Sequence, residues 1–257
     1  MTVNKASGTL TVNANTSILA AGSGTLSVLS GTLDVAATKK ITFKSSAPIA
    51  QVDQTARLGR VGGTITPTSI FAMERYIGSP SSRLTPAYVY ALTNGRPAPT
   101  VLLAPSMTNI TAAQWSDDMR INFRTAGSSL VSYSELNGTG VSLQDRIDGG
   151  WRSVPTSATT LSSGKGYRVF AGLDNSDDLV SVSGLPYIGN LSVPVTYTPT
   201  ATQGWNLLGN PYACEINFDN VYTANSSVIA SSMYIMDPYN TSSSGTSYDN
   251  MSYLVYN

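Results

Sequence analysis

The chain has 257 residues, of which 41% are hydrophobic and 12% charged, with 15 basic and 15 acidic side chains and therefore no net charge. A neutral chain with so few charges gives no electrostatic reason to expect nucleic acid or an anionic membrane as a partner, and its polar surface must come from Ser, Thr, Asn and Gly. The absence of histidine excludes Ser-His-Asp and Cys-His nucleophiles and every histidine-ligated metal site, so we expect a protein that is not an enzyme.

Cys214 is the single cysteine, so no disulfide can form within the chain and stability must come from packed sheets. Because it has no histidine or second cysteine as a partner, we predict that it is a small buried residue. No apolar run approaches the roughly 20 residues of a membrane-spanning helix, and no membrane span is predicted. No signal peptide is visible in the first residues, although an exported protein can have lost one.

The N-terminal stretch repeats Ser-Gly-Thr-Leu at residues 7–10, 23–26 and 30–33. Apolar residues follow two apart in these copies, as Leu10 with Val12 and Leu26 with Val28, which is the period of a strand with one buried face. The glycine in each copy favours a turn. Residues 1–50 are therefore predicted to form a repetitive β-segment, either a short solenoid or a set of hairpins, unless they are a low-complexity linker that alternates by chance.

Residues 51–257 are predicted to form a β-sandwich, with a jelly roll as one possible form, because short apolar runs alternate with turn signals throughout. The apolar runs are 70–77, 88–92, 100–103, 130–133, 149–154, 166–170, 179–182, 191–197, 204–208, 233–236 and 253–256. Pro194 places the run 191–197 at a sheet edge or a bulge. Residues 111–119 are the best candidate for a short helix, and Trp115, Trp151 and Trp205 are predicted to anchor the core.

Residues 204–212 read Gly-Trp-Asn-Leu-Leu-Gly-Asn-Pro-Tyr, which resembles the GWNLIGNPY segment of large secreted cell-surface proteins of the Bacteroidota. The stretches 74–77, 150–154 and 164–170 are similar to other parts of the same module and occur in the same order, and the Gly-Thr-Leu repeats resemble the region that precedes it. The resemblance implies export by the type IX pathway and an adhesin-like role at the cell surface. It implies no catalytic or binding residue.

Two polar patterns are candidate sites. Asp174, Ser176 and Asp178 offer oxygen ligands at alternate positions, as a Ca²⁺ loop requires, although the glycine and the distal glutamate of an EF-hand are missing. A solvated hairpin turn is the simpler interpretation, and Ca²⁺ is the one cofactor considered. The second pattern is the tyrosine-rich C-terminus, where Tyr234, Tyr239, Tyr248 and Tyr253 would suit a sugar platform, a protein interface or simply the exposed face of a sheet.

The sequence therefore predicts a structural or adhesive protein, extracellular or attached to the cell surface, that binds other copies of itself or components of the cell surface and extracellular matrix. A carbohydrate-binding module with glycans as partners is the alternative. Assembly into a homopolymer by strand addition is predicted because the alternating segments carry few of the Lys and Pro residues that usually protect sheet edges. Leu10, Val12, Leu26 and Val28 are the side chains predicted to fill a neighbouring copy.

Overall fold

The structure is a computed structural model that describes residues 1–49, 52–77, 100–119, 121, 123, 130–134, 150–170, 179–197, 204–237 and 252–257. Its strands are β1 (Thr2–Val12), β2 (Thr16–Ile18), β3 (Thr25–Val35), β4 (Ile41–Phe43), β5 (Ser45–Ile49), β6 (Val52–Thr55), β7 (Arg57–Val61), β8 (Thr64–Ile65), β9 (Phe71–Tyr76), β10 (Thr100–Leu103), β11 (Leu130–Ser134), β12 (Gly150–Ser153), β13 (Tyr167–Phe170), β14 (Leu179–Gly184), β15 (Met233–Asp237) and β16 (Ser252–Tyr256). Its helices are α1 (Ala113–Ser116) and α2 (Phe218–Asn225). The predicted all-β fold is confirmed, since the described residues form many strands and only these two short helices.

Residues 2–76 wind into three parallel coils, so the repetitive segment is a solenoid and not a set of hairpins. β1 pairs in parallel with β3, and β3 pairs in parallel with β7 and β8. On the second sheet β2 pairs in parallel with β4, and β4 pairs in parallel with β9. The antiparallel pair β5 and β6 is inserted between the second and third coils. Each coil covers the apolar face of the coil before it, which is how a solenoid builds a continuous core from short strands.

The repeated Ser-Gly-Thr-Leu copies occupy two different kinds of position. The copies at 7–10 and 30–33 are equivalent, because Thr9 lies beside Thr32 and Leu10 lies beside Leu33, 23 residues further along the chain (10 to 33). The copy at 23–26 lies instead at the start of β3, the same strand that carries the copy at 30–33. The uneven spacing of the copies in the sequence therefore arises because two of them share one strand.

A row of glycines marks the point where each coil changes direction. Gly8 and Gly31 have φ values of +89° and +74°, which L-residues rarely adopt. At Gly31 the alternation changes phase, so that Val28 before it and Leu33 after it are both fully buried. One coil later Gly63 lies so close to the second coil that a Cβ atom there would be 2.4 Å from the carbonyl oxygen of Gly31. Glycine is the residue that fits this corner, since a side chain would meet the backbone of the neighbouring coil.

The parallel coils and their core continue past residue 50, where the sequence placed the end of the repetitive segment. Gly62 and Gly63 lie within the third coil, where they form the corner between β7 and β8. One buried apolar cluster runs from Val3 in the first coil to Ala213, well beyond the third coil. The solenoid therefore shares a core with the residues that follow it.

The residues after the third coil form antiparallel sheets. One sheet has the strand order β10, β13, β11, β12. β14 pairs antiparallel with β9 and so ends the parallel stacking of the second solenoid sheet. Trp115 on α1 is buried against Tyr167 of β13, with ring centres 5.8 Å apart and nearly perpendicular planes, which confirms its predicted role as a core anchor. The predicted short helix is confirmed as α1, although only over Ala113–Ser116.

The outer edge of β14 is closed by two side chains from the α1 region. The backbone N–H and the hydroxyl of Ser181 both donate to the carboxylate of Asp118. The N–H of Ser183 donates to the side-chain oxygen of Gln114 at 2.6 Å. These acceptors satisfy backbone donors that an edge strand would otherwise leave exposed, so this side of the second sheet offers little to an added strand.

Two predictions about the C-terminal half are wrong. The run 191–197 is not a strand: after Gly184 the chain has no regular structure through residue 197. Its backbone is held by a side chain instead, because Asn206 accepts from the N–H of Thr196 at 3.1 Å and donates to its carbonyl at 2.9 Å. Trp205 is not a core anchor, since 49% of it is exposed. The side chain of Trp151 lies outside the described residues.

Candidate functional site

The first coil presents an open sheet edge on its outer side. In each solenoid sheet the first coil is terminal, so β1 has β3 on one side and β2 has β4 on one side, and the described residues place no strand on the other side of either. We call the outer sides of β1 and β2 the first-coil edge. An edge of this kind presents backbone N–H and C=O groups that can pair with a further strand.

The ladder itself shows which groups of β1 point outward. In a parallel pair, alternate residues direct both their N–H and their C=O to the same neighbour. The carbonyl of Val12 accepts from the N–H of Ala36 at 3.0 Å, so Val12 and Leu10 face β3. Thr9 precedes Leu10, and Thr11 lies between Leu10 and Val12. Both therefore direct their backbone groups away from β3. At the other end of β1 the carbonyl of Met1 accepts from Ser27 at 3.0 Å, which by the same alternation turns Thr2 outward.

Part of the first-coil edge is protected against strand addition, which corrects the expectation that few residues protect it. β1 bulges between Asn4 and Thr9, where its register with β3 shifts. Lys5 lies in this bulge, and its ammonium group donates to the carbonyl of Thr9 at 3.1 Å. Bulges and lysines are the usual devices that discourage strand addition. The unguarded backbone of β1 is therefore concentrated at Thr11 and, beyond the bulge, at Thr2.

The four side chains predicted to fill a neighbouring copy fall into two groups. Leu10 and Val12 lie on β1, and Leu10 is 36% exposed. Leu26 and Val28 lie on β3 and are 0% exposed, because they pack inside the chain's own solenoid. A fully buried side chain cannot contact a second copy, so within this set Leu10 is the exposed candidate for assembly, while Val12 is partly buried against the chain's own core.

The remaining predicted site residues are scattered. Asp174, Ser176 and Asp178 lie outside the described residues, and so do Tyr239 and Tyr248. Tyr234 is half-exposed on β15, and Tyr253 lies on β16 opposite Met236. The structure therefore brings Tyr234 and Tyr253 into one pair of strands, while the predicted calcium loop has no described geometry.

β15 and β16 form an exposed two-stranded ribbon, which we call the C-terminal ribbon. Half or nearly half of the surface of Tyr234, Ile235, Leu254 and Val255 is exposed. Because consecutive residues of a strand point to opposite faces, both faces of the ribbon carry exposed apolar side chains. An isolated pair of strands is barely stable in water, so a surface of this kind is typical of a contact with another element.

Ring contacts and a hydrogen bond attach the C-terminal ribbon to the rest of the chain. Trp205 packs against Tyr234 with ring centres 4.7 Å apart, and Phe218 of α2 packs against Tyr256 at 5.9 Å, both nearly perpendicular. The hydroxyl of Tyr256 donates to the carboxylate of Asp219 at 3.2 Å, and this hydrogen bond raises the pKa of the tyrosine. The perpendicular rings of Trp205 and Tyr234 do not form the flat two-ring platform that a sugar would cover.

The residues that carry the family resemblance make structural contacts. Gly209 lies so close to the segment 164–167 that a Cβ atom would be 2.8 Å from the carbonyl of Lys165. Gly209 also donates to the carbonyl of Gly164 at 2.9 Å. Asn210 accepts from the N–H of Tyr212 and donates to the carbonyl of Cys214. The two glycine-rich motifs are thus packed together, and Gly209 and Asn210 contact the backbone of neighbouring residues.

Cys214 follows this segment. It was predicted to be buried, and in the structure it is only partly buried. Burial and the neighbouring carboxylate of Glu215 raise the pKa of its thiol. A raised pKa keeps the thiol protonated at neutral pH and makes it a poor nucleophile.

The distribution of charge is a feature that the net charge of zero conceals. Residues 1–60 carry six basic and two acidic side chains, whereas residues 169–257 carry seven acidic side chains and no basic one. The basic residues of the first segment are Lys5, Lys39, Lys40, Lys44, Arg57 and Arg60, and the acidic residues of the last are Asp174, Asp177, Asp178, Glu215, Asp219, Asp237 and Asp249. Counting charge by segment would have found this asymmetry in the sequence.

The first-coil edge with Lys5 and the acidic segment around Glu215 lie on opposite sides of the first solenoid sheet. The strand order is β1, β3, β7, and beyond β7 the N–H of Leu58 donates to the carbonyl of Ala213 at 2.7 Å. Arg57 forms an ion pair with Glu215 at 2.9 Å on the same side. The acidic segment that leads into α2 therefore covers the third coil, while the first-coil edge with Lys5 lies at the opposite end of the sheet.

A small cavity lies among the described residues. The cavity has a volume of about 20 Å³, room for one water molecule, and is lined by residues that include Met73, Arg75, Trp115 and Val182. In the described part of the chain no three His, Cys, Asp or Glu side chains are grouped as metal ligands. None of the helices in these ranges is long and apolar enough to cross a membrane.

No protein-family model matches the chain, and no match was found among curated proteins or solved structures.

Proposed function

We propose that this chain is a non-enzymatic structural or adhesive protein of an extracellular or cell-surface layer, and that it assembles with other copies of itself by strand addition at the first-coil edge. One observation carries the proposal: the third coil is closed on its outer side by β14, Asp118, Gln114 and the segment around Ala213, whereas no strand of the described residues lies beside the first coil. Strand addition would satisfy the outward backbone groups of β1 in one step.

Other features support this function. A surface rich in Ser, Thr and Asn with few charges is poorly protected against self-association, which suits a protein whose purpose is association. The absence of histidine, which removes the histidine-activated nucleophiles and histidine-ligated metal sites, favours a structural role over catalysis. The similarity to secreted surface proteins of the Bacteroidota supports the extracellular location and an adhesin-like role.

Thr11→Pro is the substitution that tests the proposed assembly edge. Proline removes the outward N–H of Thr11, which β1 does not use in its ladder with β3, and proline is tolerated on edge strands for this reason. We expect the variant to stay folded and to remain a monomer of 27.0 kDa under conditions in which the unchanged protein forms large assemblies. Light scattering after size-exclusion chromatography and electron microscopy measure this directly.

Thr11→Val is the matched control, because it changes the same side chain and keeps the backbone N–H. We expect it to assemble like the unchanged protein, and circular dichroism should show both variants folded. If Thr11→Pro assembles as well as Thr11→Val, strand addition at β1 is wrong. If the unchanged protein remains a monomer at high concentration, the proposed function itself is wrong.

A further inference from the structure

We propose that the partner of the first-coil edge is the C-terminal ribbon of a second copy, so that the chains join head to tail. This inference rests on the proposed function, because it names the segment that fills the edge described above. The ribbon supplies two strands of five residues, and the described residues place no third strand beside either of them. The part of β1 beyond its bulge, from Thr9 to Val12, is of similar length.

The exposure of the C-terminal ribbon is the first argument. Leu254 is 56% exposed and Ile235, its partner across the ribbon, is 47% exposed. A two-stranded ribbon gains stability when a third strand or a packed face is added, so both the ribbon and the open edge of β1 are incomplete sheets. Joining them would complete both with one contact and would bury apolar side chains that are now in water.

Charge complementarity is the second argument, and it selects a second copy as the partner. The first-coil edge carries Lys5, with Lys39 and Lys40 on the next coil, and the only acidic residue among the first 50 is Asp34. The ribbon ends in Asp237 and is attached to Asp219, in a segment with no basic side chain. Opposite charges on the two surfaces steer them together, whereas two first-coil edges facing each other would bring their lysines together.

The position of the two surfaces is the third argument. β1 is at one side of the first solenoid sheet, and the acidic segment that holds α2 and the ribbon joins the sheet at the other side, beyond β7. A contact between different surfaces of identical chains repeats indefinitely unless its rotation closes a ring. A ribbon on one side and an open edge on the other thus favour a filament over a closed dimer.

A mixing experiment tests the head-to-tail contact. Thr11→Pro blocks the head and leaves the ribbon intact, whereas the double variant Leu254→Asn and Val255→Asn removes apolar contacts from both faces of the ribbon and leaves β1 intact. We expect each variant alone to be a monomer of 27.0 kDa. An equimolar mixture should give a species of twice that mass and nothing longer, because each pair retains a single working junction.

The control for the ribbon variant is Ile188→Asn with Val228→Asn, two exposed apolar residues outside the ribbon, which should leave assembly unchanged. If the ribbon variant still forms long assemblies, the edge is filled by something other than the ribbon, and this inference is wrong while the proposed function stands. If the Thr11→Pro variant forms long assemblies, both are wrong. A mixture that stays monomeric also overturns the head-to-tail contact.

Salt provides an independent readout of the charge argument. The distance over which exposed charges act falls from about 30 Å at about 0.01 M salt to about 3 Å at about 1 M. We therefore expect the rate of assembly of the unchanged protein to fall as NaCl is raised over this range. A rate that does not depend on salt would contradict the pairing of a basic head with an acidic tail.

Discussion

Replacing Phe43 with alanine is expected to destabilise the protein by about 3–5 kcal/mol, a large part of the roughly 5–15 kcal/mol that keeps a typical domain folded. Phe43 lies on β4 in the second coil and is fully buried. Its ring stacks on that of Phe71 in the third coil, with centres 6.1 Å apart and planes 14° apart. The substitution would leave a cavity between coils, and the rigid backbone of the parallel ladder limits how far it can collapse.

Urea unfolding followed by circular dichroism measures the effect of this substitution. Leu19→Ala is the control, because Leu19 is the residue after β2 and 67% of it is exposed, so its change should stay within about 0.5 kcal/mol. Since the buried cluster extends from the first coil to Ala213, we expect the solenoid and the following sheets to unfold in one transition. A loss below about 1 kcal/mol for Phe43→Ala would show that the coils do not share the core described above.

Gly63→Val is expected to have the second large effect, because the corner between β7 and β8 leaves no room for a side chain. A Cβ atom at this position would lie 2.4 Å from the carbonyl oxygen of Gly31 and 3.0 Å from a methyl group of Val28. Both neighbours belong to the middle coil, which is held from both sides and cannot move away. Overpacking of this kind costs about 1–3 kcal/mol or more, measured as a lower midpoint of thermal or urea unfolding.

Gly22→Asn is the control that separates two causes of lost stability, the lack of space for a side chain and an unfavourable backbone conformation. Gly22 has a positive φ of +68°, but a Cβ atom there would meet nothing within 4 Å. Asparagine tolerates that conformation better than other residues, so we expect a smaller loss than for Gly63→Val. Equal losses at the two positions would mean that close packing of the coils is not what the corner glycine provides.

The sequence predicted the class of the fold and most of its strands because both depend on local patterns. Short apolar runs between turn signals located β9, β10, β13 and β14, and the final apolar runs located β15 and β16. The direction of pairing could not be predicted, since a strand with one buried face has the same alternation in a hairpin and in a solenoid. The end of the repetitive segment could not be located either, because a turn within a coil, such as Gly62-Gly63, and a turn between domains use the same residues.

The candidate site was predictable in part. The alternation of apolar residues identified Leu10 and Val12 as candidate assembly residues, and it identified Leu26 and Val28 by the same rule. Leu26 and Val28 are completely buried, because the second coil lies between the other two. Which copy of a repeat is terminal depends on the stacking of coils and not on the copy's own sequence. The protection of the edge by Lys5 could not be predicted either, because it depends on a bulge in β1 that is seen only in the register between β1 and β3.

Trp205 shows a different limit of sequence reasoning. A tryptophan beside apolar residues is usually buried, and the run 204–208 suggested a strand. In the structure Asn206 turns inward to bind the backbone at Thr196, and Trp205 is left half-exposed against Tyr234. The contact that determines its exposure comes from residues far away in the sequence.

Hydrogen exchange at β1, measured by mass spectrometry below and above the concentration of assembly, tests the central claim most directly. The N–H of Leu10 faces β3 and should exchange slowly in both states, whereas the N–H of Thr11 faces away from β3 and should be protected only in the assembled state. That pattern is the result expected if a strand of another copy is added at the first-coil edge. Assembly without any slowing of exchange at Thr11 would contradict it.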